Sequence, residues 1–312
     1  SVDPSIEIIV DGQDGDMSGI VSRMREQLGD KISYFATHFY SPWAITKVLK
    51  NGREVPADEI SAADIWRAWM AVTQFDSEGR SVLNHPGIEA ARRKGYKVSV
   101  TEWNWNGWWR LGGPEAALSS SYAKGVGAAS FVHAFMRAAD VIEIGCQSML
   151  VGNSWGIHAI WADAKGEIDP HYMPTGQVTM FYSKHHGDKL LALASRNAPT
   201  YEQPYRMGGI GPQSKVAYID AIATADEKHV YFHAINRSFR QPLDVTVDIS
   251  AFDSVNSRAV HLILQGRLND APGPDEPEQI GWITQESISF EGTTPKITLP
   301  PRSVSCIEFT RK

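Results

Sequence analysis

The chain has 312 residues, of which 42% are apolar and 21% charged, and its formal net charge at pH 7 is −6. These values are typical of a globular protein long enough to bury a sizeable core in one large domain or two smaller ones. The acidic balance, without a concentration of basic residues, argues against nucleic acid as a partner. No apolar run approaches the roughly 20 residues needed to cross a bilayer, so a membrane partner is not expected either.

Residues 1–187 alternate short apolar runs with longer helical stretches, a pattern typical of βα units around a parallel sheet. Four strands are predicted, each followed by a loop and a helix, at Ile6–Val10, Ile32–Tyr40, Lys97–Glu102 and Val141–Leu150. Helices are predicted around Met17–Leu28, Ala62–Arg93, Ser119–Ala139 and Thr175–His186. The second of these is expected to break near Pro86, because proline cannot continue a helix interior.

After Gly187 the apolar segments become short and are separated by turn residues, as in an antiparallel β-sandwich. The predicted strands are Leu190–Ala194, Lys215–Ala223, His229–Asn236, Leu243–Ile249, Ala259–Gln265, Ser287–Phe290 and Ser303–Phe309. The sequence therefore predicts two domains, an α/β domain over residues 1–187 and a β-sandwich over residues 188–312.

The two cysteines, Cys146 and Cys306, each lie in an apolar, strand-like run. This placement fits two buried free thiols better than a disulfide and favours a reducing, cytoplasmic location. Because the sequence does not begin with methionine, secretion directed by a signal upstream stays an alternative.

A carboxylate ends the third predicted strand, where Glu102 follows Val98–Thr101. In parallel βα architectures, reactive groups collect at the carboxyl ends of the strands. Flat indole faces suit the apolar faces of sugar rings, and four of the ten tryptophans lie within seven residues here: Trp103, Trp105, Trp108 and Trp109. The segment indicates a carbohydrate cleft. The alternative is that Glu102 pairs with Arg110 while the tryptophans pack beneath a loop.

Other polar and aromatic residues lie at the same predicted edge of the sheet. His38 and Tyr40 project in one direction, since side chains alternate along a strand, and are expected to bound a sugar pocket and to hydrogen-bond either Glu102 or a sugar hydroxyl. The alternative is a core histidine beside a packing tyrosine. Gln147 and Asn153 are expected either to donate hydrogen bonds to substrate hydroxyls or to cap their loop.

Three further residues complete the predicted substrate-binding set. Asn104 is expected to orient Glu102, Trp43 to form one wall of the cleft, and Trp105 to contact substrate. The pair His185-His186 lacks a carboxylate or cysteine at ligand spacing, so neither a metal nor another cofactor is expected.

A rival enzyme class is suggested by Gly152-Asn-Ser-Trp-Gly156, which matches the Gly-x-Ser-x-Gly pattern of serine hydrolases, with Asp163 and His171 downstream. That nucleophile must be followed at once by a helix. Residues 157–166 instead have the pattern of an irregular or hairpin segment, which argues against this reading.

The segment Thr101–Asn104 resembles the nucleophile motif of the family-51 glycoside hydrolases. These are best known as α-L-arabinofuranosidases and belong to a clan of retaining enzymes built on a TIM barrel. Asp3–Val10, His38–Tyr40 and Ala138–Gln147 resemble the fifth, sixth and eighth barrel strands of that family. Pro174–Tyr182 resembles its last helix, and His233–Ser238 and Leu268–Pro277 resemble parts of its C-terminal β-sandwich.

The resemblance implies the C-terminal half of a (β/α)8 TIM barrel followed by an antiparallel β-sandwich, with Glu102 as the catalytic nucleophile. The implied activity is retaining hydrolysis of plant cell-wall polysaccharide, in the first place release of α-L-arabinofuranosyl groups. An endo-acting β-glucanase or xylanase of the same family pattern is one alternative. A non-catalytic carbohydrate-binding fragment is another.

Retaining hydrolysis needs a second carboxylic acid about 5–5.5 Å from the nucleophile. In this family it is the glutamate of an Asn-Glu pair that ends the fourth strand, and the sequence contains no such pair. The acid and the missing half barrel are therefore expected from a longer parent protein, a second polypeptide or self-association, any of which would also cover the open edge of the sheet. Asp11, at the end of the first strand, is the candidate within the chain.

Overall fold

The computed structural model describes residues 3, 5–12, 20–73, 86–111, 122–154, 156–252, 254–267 and 282–312. The helices are α1 (Ile20–Leu28), α2 (Ala62–Met70), α3 (Pro86–Lys94), α4 (Tyr122–Arg137) and α5 (Pro174–Lys184), with short 3-10 helices at Gly29–Lys31 and Ala57–Glu59. None of these described helices is long and apolar enough to cross a membrane.

The strands before residue 187 are β1 (Ile9–Asp11), β2 (Tyr34–Tyr40), β3 (Leu49–Lys50), β4 (Arg53–Glu54), β5 (Lys97–Asn104), β6 (Ile142–Gln147), β7 (Val151–Gly152), β8 (Ile160–Trp161) and β9 (His171–Tyr172). Those after it are β10 (Lys189–Leu191), β11 (Thr200–Gln203), β12 (Tyr205–Arg206), β13 (Gln213–Ala217), β14 (Ile219–Ala225), β15 (His229–Asn236), β16 (Leu243–Thr246), β17 (Val255–Gln265), β18 (Trp282–Ser289), β19 (Lys296–Leu299) and β20 (Ser303–Arg311).

A parallel sheet is formed by β1, β2, β5 and β6, which pair in chain order. One face of this sheet is closely packed: Phe39 and Trp103 lie 5.9 and 5.5 Å from Phe135 of α4, between ring centroids. On the opposite face the side chains of His38 and Glu102 are 29% and 44% exposed. Parallel sheets are normally covered on both faces, so this half-open face is the unusual feature of the fold.

Helix α4 is the middle layer of the molecule. It packs against α5 and contacts both the parallel sheet, through β6, and the antiparallel sheet, through β14, β15 and β20. Gly127 allows this close packing, because a β-carbon at that position would overlap the indole ring of Trp105.

The second region contains a six-stranded antiparallel sheet in the order β10-β14-β15-β20-β17-β18. Side chains of β15 alternate between its two faces: Tyr231 and Ile235 join the core shared with α4, whereas Phe232 and Ala234 join a second core. That second core is closed by Val247, Ile297 and other residues on and beside the β16–β19 pair. The predicted antiparallel β-sandwich is therefore confirmed.

A buried charged cluster joins the helical layer to this sheet. Asp220 of β14 lies 3.1 Å from His133 Nδ1 and 2.6 Å from Arg237 Nη2, and it also pairs with Arg137. Burial alone would raise the pKa of Asp220, but the two guanidinium groups and His133 hold that pKa well below its usual range. The Trp66 indole of α2 donates to the Arg237 carbonyl at 2.7 Å, so the cluster extends to a third element.

The long helix predicted over Ala62–Arg93 is wrong. Helix α2 ends at Met70, and its next residue, Ala71, packs in a small buried cluster with Val216. The Gln213 side chain donates to the Ala71 carbonyl at 2.8 Å, which satisfies an acceptor left over at the helix end. Residues 74–85 lie outside the described part of the chain, as do 17–19, 119–121 and 268–281, where other predicted segments fall.

Two more predictions need correction. The segment between the fourth strand and α5, predicted as a loop, contains the small sheet of β7, β8 and β9. Cys306 is buried, and burial raises the pKa of its thiol, but Cys146 is exposed. In the described residues β6 is an edge strand of the sheet, so its outer side has no neighbour to bury Cys146.

Candidate active site

A bulge in β5 decides where Glu102 points. Thr37 of β2 pairs with Val100, but the next residue of β2, His38, pairs with Glu102, so Thr101 is an extra residue on β5. In a regular strand the period of two would place Glu102 on the same face as Val100, which is fully buried. The extra residue instead turns the carboxylate toward the half-open face, beside His38.

Both close contacts of Glu102 fall on one carboxylate oxygen. The Tyr40 hydroxyl donates to Oε2 at 2.8 Å, and His38 Nδ1 lies 3.5 Å from the same atom. Burial raises the pKa of Tyr40 to about 12; the bond to Glu102 acts in the same direction, and a bond from Ser148 partly offsets it. Tyr40 therefore keeps its proton and donates to Oε2, and within the part of the chain that the structure describes neither close contact falls on Oε1.

A second tyrosine–glutamate pair lies at the opposite, amino end of the same sheet. The Tyr34 hydroxyl is 2.9 Å from Glu143 Oε2, and Lys97 Nζ is 2.8 Å from Glu143 Oε1. Lys97 foremost, with help from Tyr34, lowers the pKa of Glu143. Glu143 thus has both of its oxygens occupied and its charge compensated, whereas the ion pair of Glu102 is with His38 alone among the described residues. The pairing of Glu102 with Arg110 that the sequence left open is not formed.

Asn104 is a supporting residue and has no access to a ligand. It is fully buried, and its amide nitrogen donates to the carbonyls of Ser148, at 2.6 Å, and Ile157. Its carbonyl oxygen accepts from the Trp105 amide at 2.8 Å. The predicted contact with substrate is therefore wrong. Asn104 instead fixes the loop after β6 against the end of the strand that carries Glu102.

The tryptophans of this segment are buried to different degrees. Trp105 is fully buried between Trp69 and Phe131, with ring centroids 6.1 Å from each. Its predicted contact with substrate is wrong, because the ring packs against the helical layer. Trp103 and Trp109 are also buried. Trp43, by contrast, is 52% exposed and packs edge-on against half-buried Trp108 at 5.1 Å, and its place in a cleft wall stays a prediction.

Gln147, the last residue of β6, and Asn153, which follows β7, each make one side-chain hydrogen bond with a neighbouring hydroxyl. The Gln147 side chain is half-buried and accepts from the Thr179 hydroxyl at 2.9 Å, while its amide nitrogen is buried without a partner. Asn153 is exposed and accepts from the Ser154 hydroxyl at 3.2 Å. Whether either binds substrate stays a prediction.

Some residues of this site were not recognised in the sequence. Ser148 contributes both a carbonyl to Asn104 and a hydrogen bond to Tyr40. Buried Lys124 of α4 donates to the Gly156 carbonyl at 2.8 Å and supports the same loop. A lysine inside the apolar stretch of α4 was the available signal, since lysine is rarely buried without a partner.

The rival serine-hydrolase motif does not form a nucleophile elbow. Ser154 is exposed, and the next described element is β8 of a small sheet, not a helix. His171 stacks on Trp161 with centroids 5.1 Å apart. Among the described residues there is also no group of three histidine, cysteine, aspartate or glutamate side chains that could hold a metal ion.

Residues 102–303 match a family model described as the α-L-arabinofuranosidase C-terminal domain. The chain belongs to this family, and the predicted resemblance to the C-terminal portion of family-51 glycoside hydrolases is confirmed. The match begins at Glu102 and extends across both regions of the molecule. A search of curated protein sequences found no match.

Solved structures of arabinofuranosidases share the fold. The α-L-arabinofuranosidase of Thermotoga maritima, solved with arabinose, is 20% identical with a TM-score of 0.68, over 99% of this chain and 58% of its own. The family-51 enzyme of Thermotoga petrophila RKU-1 is 20% identical with a TM-score of 0.67, over 98% and 58%. That of Bifidobacterium longum is 17% identical with a TM-score of 0.67, over 99% and 60%. The chain thus spans less than two thirds of the solved chains it matches.

Proposed function

We propose that this chain is the C-terminal portion of a retaining glycoside hydrolase that releases α-L-arabinofuranosyl groups from plant cell-wall polysaccharide, with Glu102 as nucleophile. The observation that carries the proposal is the Glu102 carboxylate at the carboxyl end of β5. It is part-exposed, forms no ion pair with a lysine or arginine of the described residues, and has one oxygen held by Tyr40. A nucleophile needs one oriented but unneutralised oxygen, and Oε1 meets that requirement.

The architecture supports the second half of a (β/α)8 barrel, divided from the sandwich near residues 187–188. The four parallel strands pair in chain order, as barrel strands do, and one face of the sheet is left half-open. The outer edge strand β1 also carries exposed Ile9, beside exposed Ile6 and Ile8. A further half barrel, from the parent protein, another polypeptide or a second copy, is the proposed cover for this edge.

The acid that protonates the leaving group is proposed to come from that other half. Asp11 lies on β1, two strands from β5, which is about 10 Å at the usual strand spacing. It pairs with Ala36, two residues before His38, which adds about 7 Å along the strand. Retaining enzymes separate their carboxyl groups by about 5–5.5 Å. The backbone of Asp11 therefore lies farther from Glu102 than this separation, and Asp11 stays the alternative acid within the chain, to be reached only by side chains that lean toward each other across the sheet.

The chemistry of an activated sugar offers a test that does not depend on the missing acid. In an α-L-arabinofuranosyl fluoride, fluoride leaves with the bonding electrons and needs no proton, while a Glu102 oxygen forms the new bond to the anomeric carbon. Without a general base to activate water, the resulting glycosyl-enzyme should accumulate. We expect intact mass spectrometry of the full chain to show one arabinofuranosyl adduct, located by peptide mapping at Glu102.

The matched control uses the other tyrosine–glutamate pair of the sheet. Glu102→Gln should abolish the adduct, whereas Glu143→Gln should leave it unchanged, because Glu143 lies at the amino end and is paired with Lys97. An adduct that persists in Glu102→Gln would overturn the assignment of the nucleophile. Sugar binding without any adduct would instead favour the non-catalytic carbohydrate-binding alternative.

The sugar specificity is tested by the same measurement on a panel of donors. If β-glucosyl and β-xylosyl fluorides label Glu102 faster than the arabinofuranosyl compound, the endo-glucanase or xylanase alternative replaces the arabinofuranosidase. Exposed Trp43, packed on half-buried Trp108, is the feature that keeps this alternative open, since an aromatic wall suits a chain-like substrate.

A further inference from the structure

Lys124 is a buried cation in an unfavourable position. It is only 1% exposed and is the third residue of α4, near the helix end at which the dipole disfavours positive charge. No carboxylate of the described residues pairs with it, and burial lowers the pKa of its amino group to about 7. A residue that breaks several rules of stable packing at once marks a strained or functional place in a fold.

The hydrogen bond of this lysine goes to the loop of residues 156–158. Its Nζ donates to the Gly156 carbonyl at 2.8 Å. The next carbonyl along the chain, that of Ile157, accepts from the Asn104 side-chain amide. The third, that of His158, accepts from the Thr175 hydroxyl of α5 at 3.3 Å. Side chains from α4, β5 and α5 therefore fix three successive carbonyls of one loop.

The same loop is linked to the candidate nucleophile. The Asn104 amide nitrogen also donates to the Ser148 carbonyl at 2.6 Å, and the Ser148 side chain hydrogen-bonds the Tyr40 hydroxyl. Tyr40 donates in turn to Glu102 Oε2 at 2.8 Å. A continuous series of contacts thus leads from the buried amino group of Lys124 to the carboxylate of Glu102.

We propose that Lys124 is a positioning residue for Glu102: it holds the loop of residues 156–158 in the place from which Asn104, Ser148 and Tyr40 orient the carboxylate. The inference rests on the proposed function and deepens it, since it adds a residue that acts on the reaction only through other residues. Misplacement of a reacting group by about 1 Å can cost about a hundredfold in rate, so a loosened loop should slow the chemistry.

The first test replaces Lys124 with methionine, an unbranched apolar side chain of similar length. In Lys124→Met, the rate at which the arabinofuranosyl fluoride labels the full chain should fall about tenfold, because the loop loses one of its supports. The unfolding temperature should not fall, because the variant no longer buries a charge. Lys184→Met removes an exposed lysine from α5, so it is the matched control and should change neither quantity.

A double-mutant cycle tests whether the effect passes through Tyr40. Tyr40→Phe removes the last hydrogen bond of the series. If Lys124 acts through that bond, Lys124→Met should slow labelling by less than about twofold when Tyr40 is already replaced. Two effects that simply multiply would show that the residues act independently.

The pH dependence distinguishes positioning from structural support. A charge-assisted hydrogen bond is about twice as strong as a neutral one, so loss of the proton from Lys124 should remove about half of its effect on a logarithmic scale. Labelling of the unsubstituted chain should therefore fall about threefold, relative to Lys124→Met, between pH 6 and pH 9. His158, the ionisable neighbour on the same loop, is present in both proteins, and burial lowers its pKa below the usual value.

Stability should change in the opposite direction over the same pH range. An unfolded lysine has a pKa near 10.4, so above about pH 7 the unfolded state binds more protons than the folded state. The free energy of unfolding of the unsubstituted chain, relative to Lys124→Met, should therefore rise with pH while the labelling rate falls. A lysine with only a structural role would not produce these opposite trends.

The outcomes separate this inference from the function on which it rests. An unchanged labelling rate in Lys124→Met, or a full tenfold effect in the Tyr40→Phe background, would refute the positioning role and leave Glu102 as the nucleophile. If Lys124→Met does not fold, the unsubstituted chain still decides, because a labelling rate that does not fall between pH 6 and pH 9 refutes the role. An unsubstituted chain that forms no adduct at any pH would refute the proposed function, and this inference with it.

Discussion

The parallel sheet and the six-stranded antiparallel sheet differ in how far their residues are buried and in whether their charged side chains are paired. In β15, seven of eight residues are buried, and both faces of the strand are covered. In β2, the alternate residues Ala36, His38 and Tyr40 are only half-buried. The antiparallel sheet compensates its buried charge internally, as at Asp220, whereas the parallel sheet leaves Glu102 part-exposed. Stability should therefore depend on the first and chemistry on the second.

The largest expected effect is on the buried charged cluster. Asp220→Asn removes the fully buried carboxylate that pairs with both Arg137 and Arg237, which should lower the free energy of unfolding by about 3–5 kcal/mol. The control is Asp140→Asn, which breaks a part-exposed pair with Arg92 and should cost less than about 1 kcal/mol. Urea unfolding measures both. Equal losses in the free energy of unfolding would mean that the buried Asp220 cluster contributes no more to stability than the part-exposed Asp140–Arg92 pair.

A smaller effect is expected at the joint between the two sheets. Alanine normally stabilises a helix relative to glycine, by about 0.5–1 kcal/mol. Gly127→Ala should do the opposite, since its methyl group would overlap the Trp105 ring, and overpacking costs about 1–3 kcal/mol. In a double-mutant cycle, Trp105→Phe should recover part of the loss. A stabilised Gly127→Ala would show that α4 can shift freely between the sheets.

Acid should weaken the antiparallel sheet through its buried histidines. Burial lowers the pKa of His261 to about 4, and it is also the main cause of the lowered pKa values of His133 and His233. Because an unfolded histidine has a pKa near 6.5, the unfolded state binds more protons below that pH, and stability falls as the pH drops from about 6.5 toward 4. Each such group adds up to about 1.4 kcal/mol per pH unit.

His261→Gln tests this assignment, because glutamine can still bond the Ser305 hydroxyl that His261 contacts at 3.0 Å. Urea unfolding at pH 7 and pH 5 should show a smaller loss of stability in the variant than in the unsubstituted chain. Parallel losses in the two proteins would place the acid sensitivity elsewhere.

The smallest effect on stability is expected at the candidate site, where the effect on chemistry is large. Tyr40→Phe removes one part-buried hydrogen bond and should change the free energy of unfolding by less than about 1.5 kcal/mol. Tyr40 holds the Glu102 carboxylate in one orientation, and misplacement of a reacting group by about 1 Å can cost about a hundredfold in rate. The rate of adduct formation on Glu102 should therefore fall about tenfold to a hundredfold.

Tyr34→Phe is the matched control, because it removes the equivalent bond to Glu143 at the other end of the sheet. It should have a similar effect on stability and none on labelling. If the two variants label equally, the carboxyl end of the parallel sheet is not the reactive end.

The strands that could be predicted are those long enough to show a periodic pattern of apolar residues in their own sequence. His229–Asn236 was predicted with the bounds that β15 has, and Lys97–Glu102 and Ile32–Tyr40 differ from β5 and β2 by two residues at one end. Short segments such as β7, β8, β12 and β19 were missed, because strands of two to four residues carry too little periodicity. The family resemblance placed Glu102 at a strand end, and the structure has it there.

What the sequence by itself determined is the order and type of the main elements, the antiparallel sandwich and the group of candidate residues at strand ends. Only the tertiary structure decided which of those residues face the site. The sequence places Glu102 at a strand end, but the face on which it lies depends on the bulge at Thr101, which forms through pairing with β2. Trp105 and Asn104 have the same local pattern as exposed site residues, but packing against α4 and the loop after β6 buries them. Burial and direction depend on partners distant in the sequence, which local periodicity does not contain.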